Sequence, residues 1–537
     1  EVFLACTQSA DMSCCITRRK LLSLAGTTLG AGVFLPNLWI RAQSPGPNSA
    51  GAVVGEPTAA KVGGEILARG GNAVDAAVAA ALAAGVAAPH QCGPGGYGGH
   101  MTIAMAGKKV TSIDFNSRAP AAMREDTGLV NGRLNPHGWL AAGVPGTLAG
   151  LQLALDRFGT LDFRAIAGPA IRIADEGIRV SNRNWKAFME ELGVVSASSA
   201  GELFRNPELA EMLRTLADRN SVDSFYRGDI AGQIAAAFQK HDGLVTKRDL
   251  AQYRAREVAP LVLNWRGHEI FTAPLTAGGL TVLEALSVLK ALKWQERRAG
   301  AGRTHAYLET LRLAWNDRLN LLGDPEHAEV PVERLLSQAY ARELAERVDR
   351  AVRLGKPVSA TGTARGDDGT VHLSAGDRHG NLAALTLTHG NAFGARVIID
   401  GLGLVLGHGM SRFHAGTGHP NSPGPGKRPL HNMCPTIVKR DGQPLLALGG
   451  AGGRRIPNAL IAVLSRFVGL GATARQAVAA PRMHSEGNMD VRVDAQWPVG
   501  EVDSLRAPGY RVSRATVAKA SAVFFDADTK ACLPLSR

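Results

Sequence analysis

Gly355-Lys356-Pro357-Val358-Ser359-Ala360-Thr361-Gly362-Thr363-Ala364-Arg365-Gly366-Asp367-Asp368-Gly369 runs directly into Thr370-Val371-His372-Leu373-Ser374, and the chain changes character at that junction. The first stretch is polar and glycine-rich, the composition of a flexible linker. The second alternates as a strand does, placing Thr370, His372 and Ser374 on one face. Asp377-Arg378-His379-Gly380 offers a turn, and Leu382 to Thr388 returns as a second strand, so a hairpin is predicted that brings its far end back beside Thr370.

Outward from the hairpin, both directions predict helices packed on sheets. Asn72-Ala-Val-Asp followed by an alanine-rich run predicts a buried helix capped by Asn72 and closed by Gly85. A glycine-rich turn from Pro89 to Gly99 then leads into a strand from Met101 to Ala106. Its order is helix, glycines, strand, which excludes a dinucleotide fingerprint. Helical spacing recurs over Leu148–Phe158, Phe163–Gly177, Leu209–Asp218 and Thr304–Leu321, with strand character over Leu261–Thr272. Beyond the hairpin, Pro420 to Pro429 is rich in proline and glycine and is expected as a surface loop placed to act as a lid. Strands over Thr436–Lys439 and Leu445–Leu448 end at Gly449-Gly450-Ala451-Gly452-Gly453-Arg454-Arg455, and a helix is expected over Ile456–Val468.

The 537 residues are 45% hydrophobic but only 5% aromatic, with 63 glycines, which favours an α/β or α+β enzyme with a small-residue interior. A net charge of +13 does not mark a nucleic-acid partner, because 60 Lys and Arg are dispersed among 47 Asp and Glu with no basic run or recognition module. The six cysteines form no disulfide framework and no zinc-ligand pattern. Met12 begins Thr17-Arg18-Arg19-Lys20-Leu21-Leu22 and an apolar stretch to about Ile40, which reads as a twin-arginine export signal cleaved near Ala42. A retained membrane anchor is the alternative, weakened by Gly26, Gly30, Gly32 and Pro36. Residues 1–43 are therefore set apart from the fold, stable membrane insertion is not expected, and a periplasmic or secreted location is.

Several stretches together resemble the gamma-glutamyltransferase family. They are Gly70-Gly71-Asn72-Ala73-Val74-Asp75-Ala76-Ala77, Ala142-Gly143-Val144-Pro145-Gly146-Thr147, Asp249-Leu250-Ala251-Gln252-Tyr253, Gly323-Asp324-Pro325, Pro425-Gly426-Lys427-Arg428-Pro429-Leu430, Pro435-Thr436-Ile437-Val438 and Ala480-Pro481-Arg482-Met483-His484. The resemblance implies an α+β N-terminal-nucleophile hydrolase, a four-layer αββα sandwich made as one precursor. Cleavage between Gly369 and Thr370 would give a large chain, 44–369, and a small chain, 370–537, which stay together as one intertwined unit. Thr370 would be the nucleophile, since a freed α-amine with a pKa near 8 is a base at close range to its own hydroxyl. Thr388 matches the supporting threonine. Gly452 and Gly453 match the oxyanion-binding pair, whose backbone N–H groups hold developing negative charge. His372 is expected as a hydrogen-bonded core residue. No metal and no organic cofactor is implied; the partner is a small-molecule amide or peptide.

Departures from the family cluster in acyl recognition. Asn116 stands where the family has its carboxylate-binding arginine, with Arg118 two residues on and on the same face of a strand. Arg412 replaces the amine-binding aspartate, His431-Asn432 replace paired serines, and Gly390 replaces an asparagine. An arginine in place of a carboxylate repels an ammonium group and attracts an anion. Three functions remain open at this point: a gamma-glutamyl hydrolase or transferase acting on donors such as glutathione, an amidase or acylase with a different and carboxylated donor among its options, and a secreted binding protein that has lost catalysis.

Overall fold

A strand in which Thr370, His372 and Ser374 alternate with Val371, Leu373 and Ala375 needs two different coverings, an apolar one and one that satisfies polar groups. In a computed structural model of the protein, which describes residues 50–130, 132–179, 203–360 and 369–537, both coverings are present. The export segment predicted over 1–43 and residues 361–368 of the predicted linker lie outside the described residues.

In chain order the principal strands are β1 (Gly51–Val54), β2 (Gly98–Ala104), β3 (Thr111–Asp114), β4 (Arg256–Val258), β5 (Leu261–Trp265), β6 (His268–Thr272), β7 (Thr370–Asp377), β8 (Leu382–Thr388), β9 (Thr436–Arg440), β10 (Gln443–Ala451), β11 (Lys519–Asp526) and β12 (Ala531–Ser536). They form two six-stranded antiparallel sheets, ordered β1-β7-β8-β2-β3-β4 and β12-β11-β10-β9-β6-β5. Each sheet mixes strands from before residue 369 with strands from after it, so the two segments are interleaved by backbone hydrogen bonds rather than placed side by side.

The long helices are α1 (Pro57–Ala68), α2 (Ala73–Ala87), α3 (Thr147–Phe158), α4 (Phe163–Glu176), α5 (Pro207–Asp218), α6 (Gly279–Ala291), α7 (Ala301–Leu321), α8 (Gln338–Leu354) and α9 (Ile456–Leu464). One apolar core joins α2, α4 and α5 to Val371, Leu373, Leu385 and Met101 of the first sheet. A second joins α6, α7 and α9 to Ile270, Val438, Leu446 and Leu448 of the other. A third, smaller core with Leu382, Ala384, Ile437, Ala447 and Val523 lies between the sheets. The result is an α+β fold in four layers, αββα.

Asn72 caps α2 as expected, accepting from the N–H groups of Val74 and Asp75 while Asp75 caps back. Gly85 does not close α2, which continues to Ala87; a Cβ there would lie 2.9 Å from Gly93 Cα, so the glycine lets the helix press on the Pro89–Gly99 turn. The strand segment at 261–272 is a hairpin, β5 and β6, and the helix from Ile456 ends at Leu464, followed by a wider turn over Ser465–Gly469. The 420–429 stretch departs further from expectation. Asn421, Ser422 and Arg428 are buried, the Arg428 N–H donates to Asp324 Oδ2 at 2.8 Å, and its guanidinium pairs with Glu326 at 2.9 Å. These bonds pin the loop into the body of the protein, where a lid would need to open. Asp324, Glu326 and His327 also bring their polar atoms together, with Arg256 and Arg428 paired to Glu326. Cys92, Cys434 and Cys532 are buried free thiols. Among the described residues no helix is long and apolar enough to cross a membrane.

Candidate active site

The β7–β8 hairpin sets Thr370 opposite Thr388 in register, at the open end of the sandwich. Their hydroxyl oxygens are 3.2 Å apart, and both side chains are buried. Thr388 also donates its hydroxyl proton to the carbonyl of Gly369 and accepts from the Gly390 N–H at 2.7 Å. A hydroxyl has one proton to give. With that proton on Gly369, the Thr370 hydroxyl is the donor in the Thr370–Thr388 contact. One side chain thus orients the candidate nucleophile and polarises the carbonyl that precedes it.

Two residues along β7, His372 is held at both nitrogens, by Thr386 Oγ1 at 2.7 Å and Ser374 Oγ at 2.9 Å. Burial pulls its pKa down to about 3, so it is a neutral imidazole with no nitrogen left for base catalysis. Its ring fills the space over Gly449 of β10, where any Cβ would collide with it. The next pleat on each strand carries Thr370 and Ala451, which brings the turn after β10 to the nucleophile's end of the sandwich. Gly452 and Gly453 have φ of +133° and +58°, values that L side chains rarely adopt. Arg455 ties down the Gly452 carbonyl through its N–H at 3.2 Å and Nε at 3.1 Å, while neither glycine N–H donates to another group among the described residues. Successive backbone N–H groups in a glycine turn can hold an anion.

The residues expected to read the acyl group fall into separate places. Asn116 is fully buried; its Nδ2 donates to Thr276 Oγ1 at 2.7 Å and to the Pro429 carbonyl at 2.8 Å, which fastens the following loop to β3. Arg118 is half-buried and donates through Nε to the Gly426 carbonyl at 3.1 Å, so Asn116 and Arg118, which lie beyond the end of β3 and not on a strand face, both fasten the 426–429 end of one loop. His431 accepts at Nδ1 from the Met433 N–H at 3.3 Å, which puts its ring proton on Nε2. That ring lies 4.8 Å from the ring of His100, and burial first, then His100, Arg318 and Arg412, hold its pKa well below the usual imidazole value. Asn432 Oδ1 accepts from Arg318 at 3.1 Å. Arg412 is half-buried, and its charge acts on both His431 and Arg318.

Arg318 and His408 are the residues that sequence reasoning missed. Arg318, on α7, is buried without a carboxylate in ion-pair range among the described residues; it donates to the His431 carbonyl at 2.7 Å, and burial pulls its pKa down to about 10. Its spacing of three from Trp315 and seven from Leu311 sets it on an apolar helix face, a signal that was available. His408 fills the space beside Gly390, where any side chain would collide with its ring. With His408 in this position, residue 390 has no room for a side chain.

The family model described as gamma-glutamyltranspeptidase matches residues 59–533. The chain belongs to the gamma-glutamyltranspeptidase family. Among curated members, the glutathione hydrolase proenzyme of Escherichia coli (strain K12) is 34% identical over 499 residues, 85% of each chain. Acylase ACY 1 proenzyme of Pseudomonas sp. (strain SE83) is 31% identical over 510 residues, covering 88% of this chain and 89% of its own. Of the solved structures, cephalosporin acylase from Bacillus halodurans superimposes with a TM-score of 0.79 at 27% identity, over 90% of this chain and 92% of that one. The protein is thus an enzyme of the gamma-glutamyltranspeptidase family, whose relatives include both glutathione hydrolases and acylases, and its fold is the N-terminal-nucleophile sandwich.

Proposed function

We propose that this chain is a self-processing amidohydrolase or acyltransferase that cuts itself between Gly369 and Thr370 and then uses Thr370 as its nucleophile. The observation that carries this reading is the position of Thr388, bonded to the Gly369 carbonyl and to the Thr370 hydroxyl at once. In the intact chain, attack by Thr370 Oγ on the Gly369 carbonyl carbon breaks the C–N bond, forms an ester and leaves the Thr370 nitrogen as a free amine. The Thr388 hydroxyl stabilises the oxygen on which charge develops. Water then hydrolyses the ester, ending the large chain at Gly369 and beginning the small chain at Thr370. The interleaved sheets hold the two chains together.

In the mature enzyme the Thr370 amine accepts the hydroxyl proton as Oγ attacks the substrate amide. The oxyanion meets the N–H groups of Gly452 and Gly453, the leaving amine takes the proton, and the acyl-enzyme passes to water or to a second amine. The family default for the donor is a gamma-glutamyl amide such as glutathione. A second reading, an acylase whose donor carries a carboxylate and no α-amine, is favoured by Arg318 and Arg412, which give the region around His431 and Asn432 a positive field. The export segment directs the precursor out of the cytoplasm, to the periplasm or the medium.

A denaturing gel with mass spectrometry tests the first claim: two chains, the small one beginning at Thr370, are expected. A single uncut chain with full activity refutes it, and a single inactive chain supports the binding-protein alternative. The donor is tested by comparing γ-glutamyl-p-nitroanilide with glutaryl-p-nitroanilide, which differ only in the α-amine. Faster turnover of the glutaryl compound selects the acylase reading, and the opposite order selects the gamma-glutamyl one.

A further inference from the structure

Three helices behind the second sheet meet through polar side chains that the attack on the amide does not use. Glu284 on α6, Asp317 on α7 and Tyr340 on α8 are buried, and the Glu284 carboxyl lies within hydrogen-bonding range of the Asp317 carboxyl. Asp317 is supplied with donors: the Tyr340 hydroxyl donates to Oδ2 at 2.5 Å and Asn316 Nδ2 to Oδ1 at 3.2 Å. Neither oxygen of Glu284 receives a donor. Two buried carboxyls in contact do not both stay ionised, and the one with donors keeps the charge. The proton therefore sits on Glu284, which donates it to Asp317.

No neighbouring charge reverses this assignment. Neither carboxyl is ion-paired among the described residues. Arg334 is exposed and lies 4.7 Å over the Tyr340 ring, Arg466 donates to the carbonyls of Ala462 and Pro481, and Glu296 is exposed. Cys434, beside Gly278 at the start of α6, is a neutral thiol with its pKa pushed up to about 12 by burial. The segments of α9 and β5, which also pack on α6, carry no titratable side chain.

Arg318 follows Asp317 on α7 and carries this contact to the recognition end. It reaches Thr281 Oγ1 of α6 at 3.5 Å, one turn before Glu284, and donates to the His431 carbonyl at 2.7 Å and to Asn432 Oδ1 at 3.1 Å. Thus α6 holds α7 at two neighbouring points, Thr281 on Arg318 and Glu284 on Asp317. We propose that Glu284 in its acid form is a positioning residue for donor recognition, seating Arg318 against His431 and Asn432 through its bond to Asp317. This rests on the reading of the 431–432 segment as one that faces the acyl group.

Burial first, and then the Asp317 charge, hold the Glu284 pKa well above its ordinary value of 4.5. Above pH 4.5 the folded chain binds more protons here than the unfolded one, so the contribution to stability is lost as pH rises through the raised value. Ionisation sets two carboxylates face to face and parts α6 from α7 where Arg318 is held.

Infrared spectra and pH profiles of the processed enzyme test the proposal. Wild type is expected to show the carbonyl band of a buried carboxylic acid. Glu284→Gln keeps a donor for Asp317, has no proton to lose, and is expected to lack that band. With the faster of the two p-nitroanilides as donor, KM of wild type is expected to rise roughly tenfold as pH passes the raised value, while kcat follows the Thr370 amine. KM of Glu284→Gln is expected to stay flat over the same range. Glu284→Leu removes the donor at every pH and is expected to raise KM throughout. Tyr340→Phe takes a donor from Asp317 and tightens the pair's hold on its proton, so the KM transition is expected to move up by about one pH unit. Absence of the acid band from wild type overturns the proton assignment. A band that is lost in Glu284→Gln while KM of wild type and Glu284→Leu stays flat overturns the positioning role. The band does not depend on the donor, and KM is read with either one, so a failed donor assignment is told apart from a failure here.

Discussion

The attacking end and the recognition end of the proposed active site are built in opposite ways. Thr370, Thr388 and Gly390 meet through a hairpin, within twenty-one residues of chain, and every hydrogen bond among them follows from strand register. At the recognition end, Asn116, Thr276, Arg318, Arg412 and His431 come from different strands, helices and loops spread across most of the chain. Local construction resists drift because one register fixes every partner at once. Dispersed construction leaves each position to its own neighbours, so one side chain can change without moving the rest.

If the local end holds the chemistry, breaking it has the largest effect. Thr370→Ala is expected to leave one uncut chain on a gel and to lower amide turnover by at least about 10⁴-fold, as loss of a nucleophile does in comparable triads. Residual turnover near wild type would break the contrast at its root. Next in size, Gly453→Ala forces a side chain onto a φ of +58° and displaces an oxyanion donor. A loss on the order of 10² to 10³ in kcat is expected with KM little changed. Loss confined to KM would remove Gly453 from the transition state and place it in ground-state binding.

The same contrast explains what was legible in the sequence. The hairpin, the capped helix at Asn72 and the glycine turn at 449–453 are local patterns, and period, capping and φ preference disclose them. The glycines and prolines of the 420–429 loop signal irregular backbone and carry no information about burial; Asp324, about a hundred residues earlier, pins it. At Gly85 a glycine needed for close approach looks, in sequence, like one needed for a helix cap. The strand expected to carry Asn116 and Arg118 on one face ends at Asp114, and their bonds to Pro429 and Gly426 depend on tertiary partners that no spacing rule contains.

The recognition end yields a smaller, directional prediction. Arg412→Asp restores a carboxylate where an ammonium group would be read and removes a positive charge that acts on His431 and Arg318. The ratio of kcat/KM for γ-glutamyl- over glutaryl-p-nitroanilide is expected to rise by roughly tenfold, the value of one partly screened charge contact. A ratio unchanged while both rates fall would mean that Arg412 supports the fold and does not select the donor.

The smallest effect concerns the imidazole of His372, buried two residues along β7 from Thr370. Burial lowers the pKa of His372 to about 3, from an ordinary value of 6.5, so the unfolded chain takes up a proton over a pH range in which the folded chain does not. The unfolded state therefore binds more protons between those values, and the contribution to stability is complete above pH 6.5 and is lost as pH falls toward 3. His372→Gln removes this titration while keeping a side chain able to bond Thr386, so the fall in Tm from pH 7.5 to pH 5 is expected to be shallower by a few degrees. The pH dependence of kcat is expected to stay where the Thr370 amine puts it, rising toward about pH 8 in both proteins. A shift of that kinetic limb in the variant would transfer part of the proton handling to His372, and the separation between a self-sufficient nucleophile and its inert support would no longer hold.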